Sequence, residues 1–182
     1  LSENITKPGE RNVTYPIKGQ EDGQGYITSE PKEGSIGIVM IQEWWGMNKS
    51  ITLTAETFAK AGNFVVLTPD LYRGKVAQDR EEAGHYMGGL DWPGAIANIS
   101  AAVQYLKSKG CKKVGVCGFC MGGALTIATA ANCEDIDAAV PFYGVPDLSK
   151  VPVEKIKCPV FAHFAEKDQA KGFSDCTARD NL

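Results

Sequence analysis

Residues 112–124 read KKVGVCGFCMGGA, and this stretch decides the fold class. The β-branched Val114 and Val116 indicate a buried strand, and the glycine-rich run that follows them indicates a sharp turn. From Ala124 to Ala128, apolar residues recur with helical spacing. The stretch therefore predicts a strand, a tight turn and a helix in immediate succession.

Cys120 stands at the centre of the predicted turn. Gly118 lies two residues before it and Gly122 two residues after it, which is the pattern of a nucleophile elbow with Cys in place of the usual Ser. The N-terminus of the following helix offers free backbone N–H groups and the positive end of a dipole. Both favour a thiolate and an oxyanion, so we predict a reactive Cys120.

Three other interpretations of this stretch stay open. Cys120 can be a buried, inert cysteine beside a glycine-rich packing site. Gly118 and Gly123 have the spacing of a phosphate-binding loop, although Ala124 and Leu125 replace its Lys and Ser/Thr. Cys117 and Cys120 form a C-x-x-C pair, as in redox proteins. Cys117 completes the strand pattern, however, so we expect it inside the sheet.

Size and composition limit the classes of function. At 182 residues with net charge −3, the chain is predicted to be a single domain over 1–182, with no basic stripe for nucleic acid. No apolar run reaches the length that spans a membrane. Six scattered cysteines indicate reduced thiols in a cytoplasmic protein, and their spacing predicts no metal site.

Strands and helices alternate along the rest of the chain. They are a strand over 35–41, a helix over 49–61 capped by Asn48, a strand over 63–67, helices over 79–87 and 91–110, and strands over 138–143 and 159–165. This alternation predicts an α/β fold with a mainly parallel sheet and helices on both faces.

Polar or reactive residues follow several of these strands. They are Glu43, Asp70, Cys120, Tyr143 and Asp168. Ligands of open parallel sheets bind beyond the carboxyl ends of the strands, so we expect these side chains to meet at one site.

Five pieces of sequence in this order resemble the dienelactone hydrolase family of α/β-hydrolases, also called carboxymethylenebutenolidases. The resemblance runs from about Gly25 to Gln169, and its pieces are residues 42–46 (QEWWG), 69–72 (PDLY), 118–123 (GFCMGG), 142–144 (FYG) and 166–168 (EKD). It implies an α/β-hydrolase fold and the hydrolysis of a small ester or lactone, with no metal or organic cofactor.

The resemblance also implies roles for particular residues. Cys120 would be the nucleophile, Glu43 the carboxylate that contacts and helps to deprotonate the thiol, and Asp168 the acid that orients a histidine. The backbone N–H groups of Met121 and Trp44 would form the oxyanion hole.

Two further residues are implied in substrate binding, Arg80 for a substrate carboxylate and Tyr143 in the pocket. Each assignment has a plainer alternative. Arg80 can pair with Glu81 or Glu82 on the surface, Tyr143 can be a packed residue at a strand end, and Asp168 can cap a turn.

The chain departs from the family pattern after Asp168. The family's catalytic histidine lies in a later loop, whereas none of the residues after Asp168 here is a histidine. His163 precedes Asp168 on the same strand and is predicted to be a core histidine, and His85 has no triad geometry. Residues 171–182 form an atypical tail, so we expect a C-terminally incomplete domain that lacks its last strand and helix.

Three hypotheses for function follow. The first is hydrolysis of a small ester or lactone through a thioester on Cys120. The second is a form of the same fold that binds a ligand or partner without catalysis, because the base is absent. The third is a C-x-x-C redox protein.

Overall fold

A computed structural model describes residues 9–182, and its centre is one six-stranded sheet. The strands are β1 (Val13–Tyr15), β2 (Gly23–Ile27), β3 (Ile36–Ile41), β4 (Val65–Pro69), β5 (Lys113–Phe119) and β6 (Ala138–Phe142). Their order across the sheet is β1-β2-β4-β3-β5-β6. The β4–β3, β3–β5 and β5–β6 pairs are parallel, whereas β2 pairs antiparallel with β1 and β4. The predicted mainly parallel sheet is confirmed.

Helices cover both faces of this sheet. They are α1 (Lys49–Gly62), α2 (Arg80–Gly88), α3 (Trp92–Ser108), α4 (Met121–Asn132) and the short α5 (Cys176–Asp180). Alternate residues of the strands point to opposite sides. Met40 packs with Ile51 of α1 in one core, whereas Val39 packs with Ile99 of α3 and Leu125 of α4 in the other. Within residues 9–182, no helix is long and apolar enough to cross a membrane.

The ends of α1 show how local chemistry sets element boundaries. The Asn48 side chain accepts a hydrogen bond from the Ile51 N–H at 3.1 Å, as the sequence predicted for the N-cap. At the other end Asn63 has φ 53° and donates its N–H to the Ala59 carbonyl. Asn63 is therefore a left-handed helix cap, and the prediction that it starts the next strand is wrong. That strand begins at Val65.

Strands β1 and β2 were not predicted. Both are short, and β2 contains two glycines, which weaken a strand pattern. A Cβ atom at Gly25 would lie 2.4 Å from the Thr68 carbonyl oxygen, so the close approach of β2 to β4 requires glycine there. The close contact with β4 requires a glycine, and this glycine is one reason why the sequence of β2 does not resemble a strand.

The predicted strand over 159–165 is an extended segment rather than a continuous strand, and we call it the edge segment. It meets β6 through isolated bridges from Val160 to Ala139 and from His163 to Phe142. Val160 is 42% exposed and Phe161 is 68% exposed. His163 is half-buried, so the prediction of a core histidine is wrong. Among the described residues, nothing covers the outer side of this edge.

Residues 171–182 return to the body of the protein. The Val145 N–H donates to the Phe173 carbonyl at 2.8 Å, and Ala178 of α5 is buried. The Asp175 side chain caps α5 by accepting from the Ala178 N–H at 3.0 Å. The tail therefore packs beside the loop that follows β6.

Candidate functional site

Cys120 occupies the single residue between β5 and α4, as the sequence predicted. Its backbone has φ 55° and ψ −120°, a conformation that side-chain-bearing residues rarely adopt. The Cys120 N–H donates to the Phe142 carbonyl at 3.1 Å, which ties the turn to the end of β6. The thiol is therefore presented by a strained turn held from both sides, which is the geometry of a nucleophile elbow.

Two glycines make room for this turn. A Cβ atom at Gly122 would lie 2.6 Å from the carbonyl oxygens of both Ile41 and Gln42. A Cβ atom at Gly144 would lie 2.1 Å from the Cys120 carbonyl oxygen. Any larger residue at either position would push the backbone of the turn away from its neighbours.

Two backbone N–H groups near the turn have no oxygen acceptor among the described residues, and that of Met121 faces the Cys120 thiol. Neither the Met121 N–H, at the start of α4, nor the Trp44 N–H donates to a carbonyl or side-chain oxygen of residues 9–182. Trp44 lies in a turn closed by a 3.2 Å hydrogen bond from the Gly46 N–H to the Glu43 carbonyl. Unpaired donors of this kind are what an oxyanion hole requires.

Glu43 and Tyr143 meet beside the thiol. The Tyr143 hydroxyl donates to Glu43 Oε1 at 3.2 Å, and both residues are half-buried. Burial, together with the charge of Glu43 and this hydrogen bond, raises the pKa of Tyr143, so the hydroxyl stays a donor. Tyr143 itself has φ 38°, a second strained residue at a strand end.

The surroundings of Cys120 favour the neutral form of its thiol. Burial raises its pKa above the ordinary value of 9.0, and the charges of Glu43 and Asp168 raise it further. The Met121 N–H acts in the opposite direction but does not compensate. The N-terminus of α4 favours the thiolate, as the sequence indicated, but burial and the two carboxylates outweigh it.

Asp168 lies in the loop after the edge segment. Its Oδ1 accepts a hydrogen bond from the Ala170 N–H at 2.9 Å. That hydrogen bond, with contributions from the Ser174 side chain and the Gln169 N–H, lowers the pKa of Asp168. Asp168 is therefore an anion held by its own turn, and its charge reaches Cys120.

Neither histidine completes a triad in the described part of the chain. The His163 ring stacks on Phe142, with centroids 4.6 Å apart and planes 9° apart, and contacts Phe161 edge-on at 4.5 Å. His85 lies on α2, where its ring centroid is 6.2 Å from that of Tyr86. Neither ring forms an ion pair with Asp168 within residues 9–182.

Comparison with known proteins decides the family. The sequence profile described as "Dienelactone hydrolase family" matches residues 24–179. The chain belongs to this family. A protein named usf from Aquifex pyrophilus is 42% identical over 158 residues, which are 80% of this chain and 67% of that relative. A carboxymethylenebutenolidase from Pseudomonas putida is 29% identical over 161 residues, which are 79% and 66% of the two chains.

Solved structures agree on the fold. A dienelactone hydrolase-like promiscuous phosphotriesterase from metagenomic libraries superposes with a TM-score of 0.69 at 24% identity, covering 86% of this chain and 68% of that one. The chain spans about two thirds of the length of the curated relatives that it matches. By family resemblance it is a carboxylic ester or lactone hydrolase with an α/β-hydrolase-like fold.

Two other residues were expected at the site, Arg80 and Asp70. Arg80 is exposed at the first position of α2 and forms no ion pair or side-chain hydrogen bond within residues 9–182, so the pairing with Glu81 or Glu82 is also not formed. Asp70 is buried and accepts hydrogen bonds from the Tyr72 and Gly74 N–H groups at 3.2 and 2.6 Å. Asp70 therefore shapes the loop after β4.

Tyr72 lies against Met121 at the start of α4, a contact that the sequence did not predict. Its hydroxyl contacts Met121 Sδ at 3.3 Å. Burial first, and then the electrostatic influence of Cys120, raise the pKa of Tyr72 to about 12. Its position three residues after Pro69, the last residue of β4, was a usable signal, because side chains at strand ends line sites in this kind of sheet.

Proposed function

We propose that this chain cleaves small carboxylic esters or lactones through an acyl thioester on Cys120. The observation that carries the proposal is the elbow itself: a cysteine held at φ 55° near two N–H groups, on Met121 and Trp44, that have no oxygen acceptor in the described chain. These are the parts needed to attack a carbonyl and to stabilise the resulting oxyanion.

Glu43 supplies the base for the attack. Because its surroundings favour the neutral form, the thiol must lose a proton as its sulfur bonds to the substrate carbonyl carbon. Glu43 is the ionisable side chain whose charge acts on Cys120 and which Tyr143 holds by a hydrogen bond. In the proposed step the proton passes to Glu43, the ester C–O bond breaks, and the alcohol leaves after taking that proton.

Release of the acyl group is the slow step in this scheme. Deacylation needs a group that removes a proton from water. Asp168 is anionic but is engaged by its own turn, and neither His85 nor His163 contacts it in the described residues. In these 182 residues acylation of Cys120 is therefore expected to be fast, and hydrolysis of the resulting thioester slow.

Stopped-flow measurement with 4-nitrophenyl acetate tests both parts. We expect a burst of at most about one nitrophenolate per protein followed by little turnover, the kinetic mark of acyl-enzyme accumulation. Cys120→Ala should abolish the burst, whereas the matched control Cys176→Ala, at another half-exposed cysteine, should keep it. A burst that persists in Cys120→Ala would refute the nucleophile, and sustained turnover by the unaltered chain would refute the slow second step.

Substrate selection and location form the remaining parts of the proposal. Arg80 is exposed and without an anionic partner in the described chain, so it is available for a substrate carboxylate, and Tyr143 lies beside the thiol to line the pocket. The six cysteines are all free, which fits a reducing compartment such as the cytoplasm.

Two competing functions are distinguished by the same experiment. A binding protein without catalysis is favoured by the lack of a histidine partner for Asp168 in the described residues, and it predicts no burst. A C-x-x-C redox protein needs an accessible attacking thiol, but Cys117 is 4% exposed in β5 and burial raises its pKa to about 12. The redox hypothesis is therefore the weakest of the three.

A further inference from the structure

A concave site lies beside Tyr72 and does not include Cys120. It is a cavity of about 470 Å³ between the loop after β4, helix α2 and the start of α3. This volume is within the range of small-molecule sites. Leu71, Leu90 and Ala95 form its apolar lining. We call it the α2–α3 cavity.

A buried amide opens into the α2–α3 cavity. Asn98 lines the cavity although it is only 7% exposed. Its Oδ1 accepts the Tyr15 hydroxyl at 2.6 Å, a length typical of an O–H···O bond. No hydrogen bond from the amide nitrogen to an acceptor is present among residues 9–182. The cavity therefore contains a positioned, unused hydrogen-bond donor, which buried polar groups rarely leave unpaired.

Two tyrosines form an aromatic wall. The rings of Tyr72 and Tyr86 are 5.5 Å apart at 63°, an edge-on pair. The Tyr86 hydroxyl donates to Glu82 and is thereby held in place. Fixed aromatic faces of this kind bind flat rings well, since stacking adds to the burial of apolar surface.

The charge at the cavity is net positive. Arg73 and Lys75 line it, and Lys75 Nζ lies 5.6 Å above the Tyr86 ring with no carboxylate partner in the described residues. Arg73 pairs with the exposed Glu21 at 2.8 Å, a solvated contact that a ligand can replace. Asp91 is the one acidic residue that lines the cavity, and His85 adds an imidazole.

We propose that the α2–α3 cavity binds a small aromatic carboxylate. The ring lies against Tyr72 and Tyr86, the Arg73 and Lys75 cations neutralise the carboxylate, and the Asn98 amide donates a hydrogen bond to the ligand. Charge-assisted hydrogen bonds of this type are stronger than neutral ones. The proposal does not depend on the hydrolytic function, because Cys120, Glu43 and Asp168 take no part in it.

Calorimetry or ligand-observed NMR with benzoate tests this site on the 182-residue chain at low salt. We expect saturable binding with a Kd of about 1 mM, as suits a ligand of so few atoms. Benzyl alcohol, a neutral probe of the same shape, should bind at least about fivefold more weakly, because it lacks the charge that Arg73 and Lys75 recognise. Equal affinity for the two probes would overturn the proposal.

Variants locate the binding. Lys75→Met removes an exposed cation, and Asn98→Asp keeps the acceptor for Tyr15 but replaces the free donor with a negative charge. Each should weaken benzoate binding at least about fivefold. Lys150→Met removes the same charge outside the cavity and should leave binding unchanged, and thermal melts show that each variant is folded. Unaltered binding in Lys75→Met overturns the proposal, as does loss of benzoate binding after alkylation of Cys120.

Discussion

The centre of the sheet and its β6 side differ in how tightly their residues are packed. Strands β4, β3 and β5 are covered on both faces, and Val39, Leu67 and Val116 are almost completely buried. The edge segment beyond β6 is tied by isolated bridges and leaves Phe161 largely exposed. A residue placed by the centre is therefore held by many neighbours, whereas one placed by the edge depends on a few hydrogen bonds.

This difference divides the candidate site into two halves. Cys120, Met121, Trp44 and Glu43 follow the central strands, and close packing against the turn fixes them. Asp168 follows the edge segment and is fixed by a local turn. The half that would form the thioester is thus preorganised, and the half that would cleave it lacks a base within the described residues.

The largest expected effect is on the free energy of unfolding, and it compares a variant at the centre of the sheet with one at its edge. Leu67→Ala in β4 empties a fully buried position and should lower the free energy of unfolding by about 3 kcal/mol. Phe161→Ala at the edge removes a ring that is mostly solvated and should cost less than about 1 kcal/mol. Urea unfolding followed by circular dichroism measures both. Similar losses for the two variants would show that the edge is as firmly packed as the centre.

A smaller effect is expected from Glu43, the proposed general base in the half of the site that follows the central strands. Glu43→Gln should slow the acylation burst about 30-fold, because general base catalysis is lost, with little change in the melting temperature. Glu56→Gln is its matched control, since Glu56 also accepts a tyrosine hydroxyl, that of Tyr26, at 2.6 Å but away from the turn. The control should acylate at the normal rate. If both variants acylate normally, Glu43 has no part in the step.

A smaller effect is expected on the alkylation of Cys120 by iodoacetamide, which Glu43→Gln should speed rather than slow. Its rate should rise with pH through an apparent pKa above 9.0, because burial and the charges of Glu43 and Asp168 disfavour the thiolate. Glu43→Gln removes one of those charges, lowers the pKa of Cys120, and should speed alkylation at pH 8 about threefold. Mass spectrometry resolves this site from Cys158 and Cys176. Slower alkylation in Glu43→Gln would contradict the assigned electrostatics.

The smallest effect is expected from Arg80. Arg80→Ala should slow acylation by an ester that carries a carboxylate about threefold more than acylation by a neutral ester, since a solvated guanidinium attracts an anion only modestly. The comparison uses burst rates, so it does not require turnover. Equal rates for the two esters in the wild-type chain and the variant would make Arg80 an ordinary surface residue.

Much of the half of the site that follows the central strands was predictable, because its sequence signals are local. The strand, the glycine-flanked Cys120 and the helix are adjacent in sequence, so short-range pattern was enough to place them. The pKa of Cys120 was not predictable in this way, because it depends on Glu43 and Asp168, which other strands deliver. His163 was misplaced for the same reason: apolar neighbours in sequence do not show that a strand lies at an uncovered edge.

The approach of Gly144 to the Cys120 carbonyl separates the choice of nucleophile from the frame that presents it. The crowded atoms are all backbone atoms, while the side chain at 120 is only half-buried. Replacing sulfur with oxygen changes nothing that Gly144 or Gly122 touches. A scaffold of this kind is free to exchange thiol and hydroxyl chemistry during evolution by a minimal change of codon, whereas its glycines are not free to vary. The same backbone turn can therefore present either nucleophile.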